Sequence, residues 1–421
     1  MIAVVSTMGM TAVLGGCGAT GSSDVTLRLV AADYGDSAAN SSQKYWSKLA
    51  RAYEAQHSGV KIDVSVYSWN DVDRKVKAMV AADKAPDLAQ IGSYADYAAA
   101  GKLYEAGDLL SIPVQADFPS QLAEAGQWNH AQYGIPFAAS TRVLFYNKTL
   151  FSEAGITTPP TTWTELAADA KALEANGVKY PYALPLGPEE AQAETMQWLL
   201  SGGSGYTDDT GTYTINSAQN IDTLTWLKDE LVGKGLTGPT APGKLNRATA
   251  FAAFADGQVG MINGHPTLIK QAEKKGVKFG TVAMPARAGQ STSTASMGVA
   301  DWMAAFKQNG HADQVGDFLN YVYSEKNVLS FSREYGLLPV TTSASQAMTD
   351  STQPQDKQLR PFLEQLPTSQ LYPAGKTSWA AISADIKKQI GTAVTSTGNP
   401  TTVLTRLQAE ASLADSRTSA G

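Results

Sequence analysis

YGIPFAASTRVLFYNKTLFSEAGITTPPTTWTEL, residues Tyr133 to Leu166, ends in a helix-start signal. Thr162 and Glu165 have the S/T-x-x-E spacing of a capping box, in which the hydroxyl and the carboxylate each satisfy a free backbone amide. Leu166, Ala170 and Leu173 then recur on one helical face, and Gly177 stands where a C-terminal cap belongs. The stretch therefore predicts an amphipathic helix packed on something apolar.

Toward the N-terminus, strand and helix signals alternate, which argues for the α/β class. VTLRLVA (Val25 to Ala31) has strand alternation, and Trp46, Leu49, Ala50 and Tyr53 follow at i, i+3, i+4 and i+7. VKIDVSVY puts Val60, Ile62, Val64 and Val66 on one strand face. Asn70 can cap the next helix, with a stripe of Val72, Val76, Met79 and Val80. Ala85-Pro86-Asp87 ends it and leads into DLAQIG. The segment reads as βαβαβ, with sequential parallel strands expected. Toward the C-terminus, RATAFAAFADGQVGMING predicts a helix, a turn at Asp256-Gly257 and a strand through Val259 and Met261. SGGSGYTDDTGTYTIN predicts a surface loop or hairpin. The last third is mainly helical, with a closing segment near 399–414.

Composition narrows the function. At 421 residues the chain exceeds one ordinary core, so two lobes are expected. Charged residues are 17% and the net charge is −6, without the basic face of a nucleic-acid binder. No H-E-x-x-H, P-loop or G-x-S-x-G is present, and SGGSG at 201–205 has the wrong spacing. His57, His130, His265 and His311 lack partners at metal-ligand spacing. Glu189-Glu190 could form a carboxylate pair for glycoside hydrolysis, although adjacent acids are more often a solvated helix start. Neither catalysis, a cofactor nor a metal is expected. Binding is favoured over chemistry.

The single cysteine, Cys17, follows the short apolar run MIAVVSTMGMTAVLGG. That run is below the roughly 20 residues of a membrane-spanning helix and suits a signal peptide. Gly16-x-Gly18-x-x-Gly21 imitates a dinucleotide fingerprint but lacks the strand before and the helix after. Leu14-Gly15-Gly16-Cys17 resembles the bacterial lipoprotein box, which implies lipidation at Cys17 and cleavage before it. Residues 1–16 are then the signal peptide, and 17–23 the lipidated cysteine and flexible tether. No Lys or Arg precedes Cys17, which departs from the pattern and suggests a start codon placed too late.

The opening stretch also carries a resemblance. Tyr133-Gly134-Ile135-Pro136, Tyr146-Asn147-Lys148-Thr149-Leu150-Phe151, Ala154-Gly155, Pro159-Pro160, Thr162-Trp163 and Glu165-Leu166 resemble, in order, a pattern of the extracellular solute-binding proteins of ABC importers. The branch is that of the maltose-binding protein. APDLAQIGSYADYAAAGKLYE, FAAFADGQVGMINGHP and DFLNYVYSEKNVLSFSREYGLLPV agree with further family segments. The resemblance implies a two-lobed periplasmic-binding-protein-like fold (type II), with hinge strands around a central ligand cleft. Expected crossings are near Pro136–Thr141, Asn263–Pro266 and Tyr321–Ser324. Lobe 1 would hold 24–136 plus 265–321, and lobe 2 would hold 137–264 plus 322–421. It further implies a monomer anchored outside the cytoplasmic membrane, an ABC permease as partner, and a mono- or oligosaccharide as ligand. Polyamine, glycerol phosphate and a secreted carbohydrate-active enzyme remain alternatives.

Sugars present apolar C–H faces and polar rims, so stacking rings and hydrogen-bonding side chains are sought at strand ends and crossings. Tyr34 and Asp36 follow the first strand, as contacts or as a turn. Trp69 follows the second strand, as a contact or packed beneath its helix. Ser93 and Tyr94 follow the third. Ser140, Thr141 and Arg142 sit at the first crossing, with Ser140 replacing a family carboxylate. Glu190 and Gln192 lie in a segment that supplies second-lobe contacts in the family. His265 replaces a stacking tryptophan. Asp301 and Trp302, inside the apolar GVADWMAAF, are contacts, or Asp301 is a structural ion pair. Trp379 matches a stacking tryptophan of the family.

Overall fold

The computed structural model describes residues 24–35, 38–289 and 296–419. Cys17, the 1–23 segment and Asp36 lie outside the described residues. Eleven strands are described: β1 (Val25–Ala32), β2 (Val60–Tyr67), β3 (Leu88–Ile91), β4 (Gln127–Trp128), β5 (Ala131–Gln132), β6 (Ile135–Thr141), β7 (Val143–Asn147), β8 (Tyr180–Ala183), β9 (Val259–Gly264), β10 (Phe279–Val282) and β11 (Gly298–Ala305). They form a five-stranded sheet of order β2-β1-β3-β11-β6, a four-stranded sheet of order β10-β7-β9-β8, and the small β4-β5 pair. Helices cover both large sheets, giving two α/β lobes.

The first βαβαβ unit forms as its periodicities require. Trp46, Leu49, Ala50 and Tyr53 are the buried face of helix Ser42–Glu54. β1 runs parallel to both β2 and β3, but it lies between them, so the strands are not in sequential order. Helix Val72–Ala81 buries Val72, Val76 and Val80; its cap residue is Asp71 rather than Asn70. The capping box at Thr162 and Glu165 is made, and Leu166, Ala170 and Leu173 are buried beneath it. Gly177 follows the cap with φ of 77°. The glycine of Tyr133-Gly134-Ile135-Pro136 also has a packing reason. A Cβ there would stand 2.5 Å from the Tyr94 ring.

The chain first changes sheets where β6 runs into β7, between Thr141 and Val143. It then stays with the second sheet beyond Asn263–Pro266, because β10 pairs antiparallel with β7. It rejoins the first sheet only at Gly298, so residues 265–282 belong with the second lobe. The expected third crossing at Tyr321–Ser324 also moves. Helix Glu325–Tyr335 remains on the first lobe, where Phe331 packs on Phe137 and Tyr34 and the Asn327 carbonyl accepts from Tyr45. The second lobe is regained by helix Trp379–Gln389, which packs on helices Ala191–Ser201 and Pro400–Ser419.

Strand polarity places the cleft. β1, β2, β3 and β6 are co-directional, and β11 runs against them, so Asp301 lies near their carboxyl ends. In the second sheet, Val143 at the start of β7 pairs with Gly264 at the end of β9, and Val282 at the end of β10 pairs with Leu144. The ends nearest the β6–β7 crossing therefore belong to both sheets, where open α/β sheets place their ligands.

Candidate functional site

The first-lobe wall is built on the turn after β1 and the start of β11. The Tyr34 hydroxyl donates to Asp301 Oδ2 at 2.9 Å. The half-buried Trp69 ring meets Tyr34 edge-on, with centroids 5.4 Å apart. Burial pushes the Asp301 carboxyl up to about 7; Tyr34's hydrogen bond works against this, while Glu190 and Asp73 reinforce it. Burial and the Asp301 carboxylate raise the Tyr34 hydroxyl well above its ordinary value, so it remains a donor.

The second-lobe wall is centred on Arg142, which is 5% exposed. Its Nη2 pairs with Glu190 Oε1, and its backbone amide donates to the Met297 carbonyl at 3.1 Å. Arg247, at the start of helix Arg247–Ala255, pairs through Nε with Glu190 at 2.5 Å and through Nη2 with Glu189 at 2.6 Å. Burial raises the Glu190 carboxyl, but Arg142 and Arg247 outweigh it and hold the group below its ordinary value. A carboxylate held ionised in two ion pairs is a poor general acid. His265 packs on Phe251 with centroids 5.0 Å apart, and its Nδ1 meets Thr267 Oγ1 at 2.9 Å. Burial, then Arg142 and Arg247, push its ring well below its usual pKa, so it is neutral.

Beneath Arg142 lies a carboxylate that the sequence did not single out. Glu194 Oε1 accepts from Asn263 Nδ2 (3.0 Å), Tyr182 Oη (3.1 Å) and Trp198 Nε1 (3.1 Å). Burial raises it to about 7 against the opposing pull of Arg142 and those donors. Around it, Arg142 Nε, Gln192 Oε1, Asn263 Oδ1 and Ser296 Oγ are buried and make no hydrogen bond of normal geometry among the described residues. Burial, then Glu190, raise the Tyr372 hydroxyl well above its ordinary value, against Arg142 and a hydrogen bond from the Gln192 side chain.

Other expected contacts turn inward. Tyr94 is fully buried, and its hydroxyl is spent on the Ala125 and Gln127 carbonyls, at 2.7 and 2.9 Å. Trp302, separated from Asp301 by a β-bulge, is buried and packs on Tyr94 with ring centroids 5.3 Å apart. Thr141 is buried and donates to the Phe362 carbonyl at 2.9 Å. Trp379 is 4% exposed, covered by Tyr372 at 5.1 Å and Tyr206 at 5.5 Å. The more accessible ring of that group is Tyr372. Ser93 is half-buried after β3, and Ser140 is buried at the end of β6. The structure thus brings together Tyr34, Trp69 and Asp301 on one wall, and Arg142, Glu190, Gln192 and His265 on the other. Arg247, Glu194 and Tyr372 were missed. Arg247 opens the segment RATAFAAF, and Tyr372 stands seven residues before Trp379, but no local pattern marks either as facing the cleft.

A separate open recess of about 700 Å³ is lined by Asn40, Lys270 and Arg333 among others. Two of its cations are engaged: Lys270 donates to the Arg333 and Glu334 carbonyls, and Arg333 pairs with buried Asp356. Among the described residues no group of His, Cys, Asp and Glu could hold a metal, and no helix is long and apolar enough to cross a membrane.

Comparisons agree with this architecture. A Brucella abortus (strain 2308) chain named as a binding protein is 26% identical over 301 residues, covering 70% of this chain and 72% of that one. The sn-glycerol-3-phosphate-binding periplasmic protein UgpB of Yersinia pseudotuberculosis is 29% identical over 219 residues, covering 50% and 49%. The crystal structure of the cyclic α-maltosyl-1,6-maltose binding protein from Arthrobacter globiformis superposes with a TM-score of 0.76 at 20% identity, over 93% of this chain and 99% of that one. The family profile of the bacterial extracellular solute-binding proteins matches residues 48–361, and the chain belongs to that family.

Proposed function

We propose that the protein is the substrate-binding component of an ABC sugar importer, closing its lobes on a mono- or oligosaccharide and delivering it to the permease. The observation that carries this reading is the set of buried polar atoms around Arg142 that make no hydrogen bond among the described residues: Arg142 Nε, Gln192 Oε1, Asn263 Oδ1 and Ser296 Oγ. Buried polar groups without partners are costly, and a hydroxyl-rich ligand can supply both donors and acceptors to them. Tyr372 and Trp69 add rings that suit the C–H faces of a pyranose. The sugar-binding relative of the same fold supports the reading.

Glycerol phosphate is the rival that the Yersinia relative suggests. It would need uncommitted cations, whereas Arg142 and Arg247 are neutralised by Glu190 and Glu189. Calorimetric titration with maltose, cellobiose, longer glucans and glycerol 3-phosphate tests the choice. A saccharide should bind saturably and lose roughly tenfold in affinity on Gln192→Ala, the effect of about one hydrogen bond. Binding of glycerol 3-phosphate with no response to any sugar would overturn the reading. Attachment outside the membrane through a lipid on Cys17 is part of the same proposal. Metabolic labelling with a fatty acid, retained in Cys17→Ser, would contradict it.

A further inference from the structure

The cleft is electrostatically unequal. On the second lobe, Arg142 and Arg247 are matched by Glu189 and Glu190 in three ion pairs. Lys387, on helix Trp379–Gln389, adds positive potential felt by both Glu190 and Asp73. On the first lobe, no arginine, lysine or histidine among the described residues forms an ion pair with Asp301, whose protein donor is the neutral Tyr34 hydroxyl. The half-buried Trp69 ring stands beside Tyr34 at the same wall, with centroids 5.4 Å apart.

We propose, resting on the sugar reading, that the ligand is an amino sugar whose protonated amine is received at Asp301 beside Tyr34 and Trp69, while its hydroxyls meet the second-lobe wall. Lobe closure strips water from Asp301. With a neutral ligand the carboxyl would have to take up a proton to shed its charge, because the neighbouring charges, Glu190 and Asp73, share its sign. An ammonium supplies the missing charge and three donors, and an indole or phenol ring attracts it further.

Titration of the full chain at pH 7 with chitobiose, diacetylchitobiose, cellobiose and spermidine tests the assignment. The three disaccharides share a β-1,4 pyranose skeleton and differ at the amine. Chitobiose should bind at least about tenfold more tightly than the two neutral sugars. Asp301→Asn should erase that advantage, and Trp69→Leu should reduce it even if Asp301→Asn fails to fold. Neutral sugars that bind as well as chitobiose or better overturn the amine and leave the sugar reading standing. Spermidine binding that is lost in Asp301→Asn, without any sugar response, keeps the cation subsite and removes the sugar. No response to either amine overturns the proposal.

Discussion

At the scale of single residues, Glu194 shows how burial and hydrogen bonding compete. Three donors converge on Oε1, yet burial still raises the carboxyl to about 7 from an ordinary 4.5. Below both values the folded and unfolded chains each hold the proton, and stability does not change. Between about 4.5 and 7 the unfolded chain ionises while the folded one stays protonated, so stability falls as pH rises, then levels off. The loss is roughly 3 kcal/mol for a shift of this size. Asp301 contributes in the same direction. Glu194→Gln should therefore shrink the drop in denaturation midpoint between pH 5 and pH 8. An unchanged drop would mean the carboxyl titrates normally. Glu194 was invisible in the sequence because it sits in an α-helix whose residues are all buried, so no amphipathic pattern sets it apart.

Among the elements, what was legible follows the range of the interaction. The capping box, the βαβαβ segment and the 247–264 helix–turn–strand are local, and each forms as its own residues require. The β2-β1-β3 order, the return of β10 to β7 and the late return to the second lobe depend on partners far away in sequence. The same division runs through the site. Tyr34, Arg142, Glu190 and Asp301 could be chosen because strand ends and crossings are readable. Tyr94, Thr141, Trp302 and Trp379 stand beside them but point inward, and position alone does not give side-chain direction. Arg333 shows how distant helices are joined. It meets the fully buried Asp356 through Nε at 3.2 Å and Nη2 at 2.8 Å, tying helix Glu325–Tyr335 to helix Pro354–Leu363. Asp356→Ala should cost about 2–4 kcal/mol in chemical denaturation, because the pair is largely desolvated while Arg333 can partly return to water. A loss below ~1 kcal/mol would show that the pair is solvated in solution.

For the whole molecule, two sheets meet end to end at a crossing that holds Arg142, and the walls on either side carry complementary groups. Lys270 bridges the lobes as well. Its helix, Thr267–Lys274, lies between two second-sheet strands, and its ammonium donates at 3.1 and 2.5 Å to carbonyls at the end of the first-lobe helix Glu325–Tyr335. That placement suits the negative end of a helix dipole. Such contacts depend on the relative position of the lobes, as hinge closure requires. Binding and closure are then expected to be one event. Small-angle X-ray scattering of the chain with and without its best-binding saccharide tests it most directly. Closure should give a smaller radius of gyration and a shortened pair-distance distribution at saturation. Saturable binding with an unchanged scattering profile would contradict it.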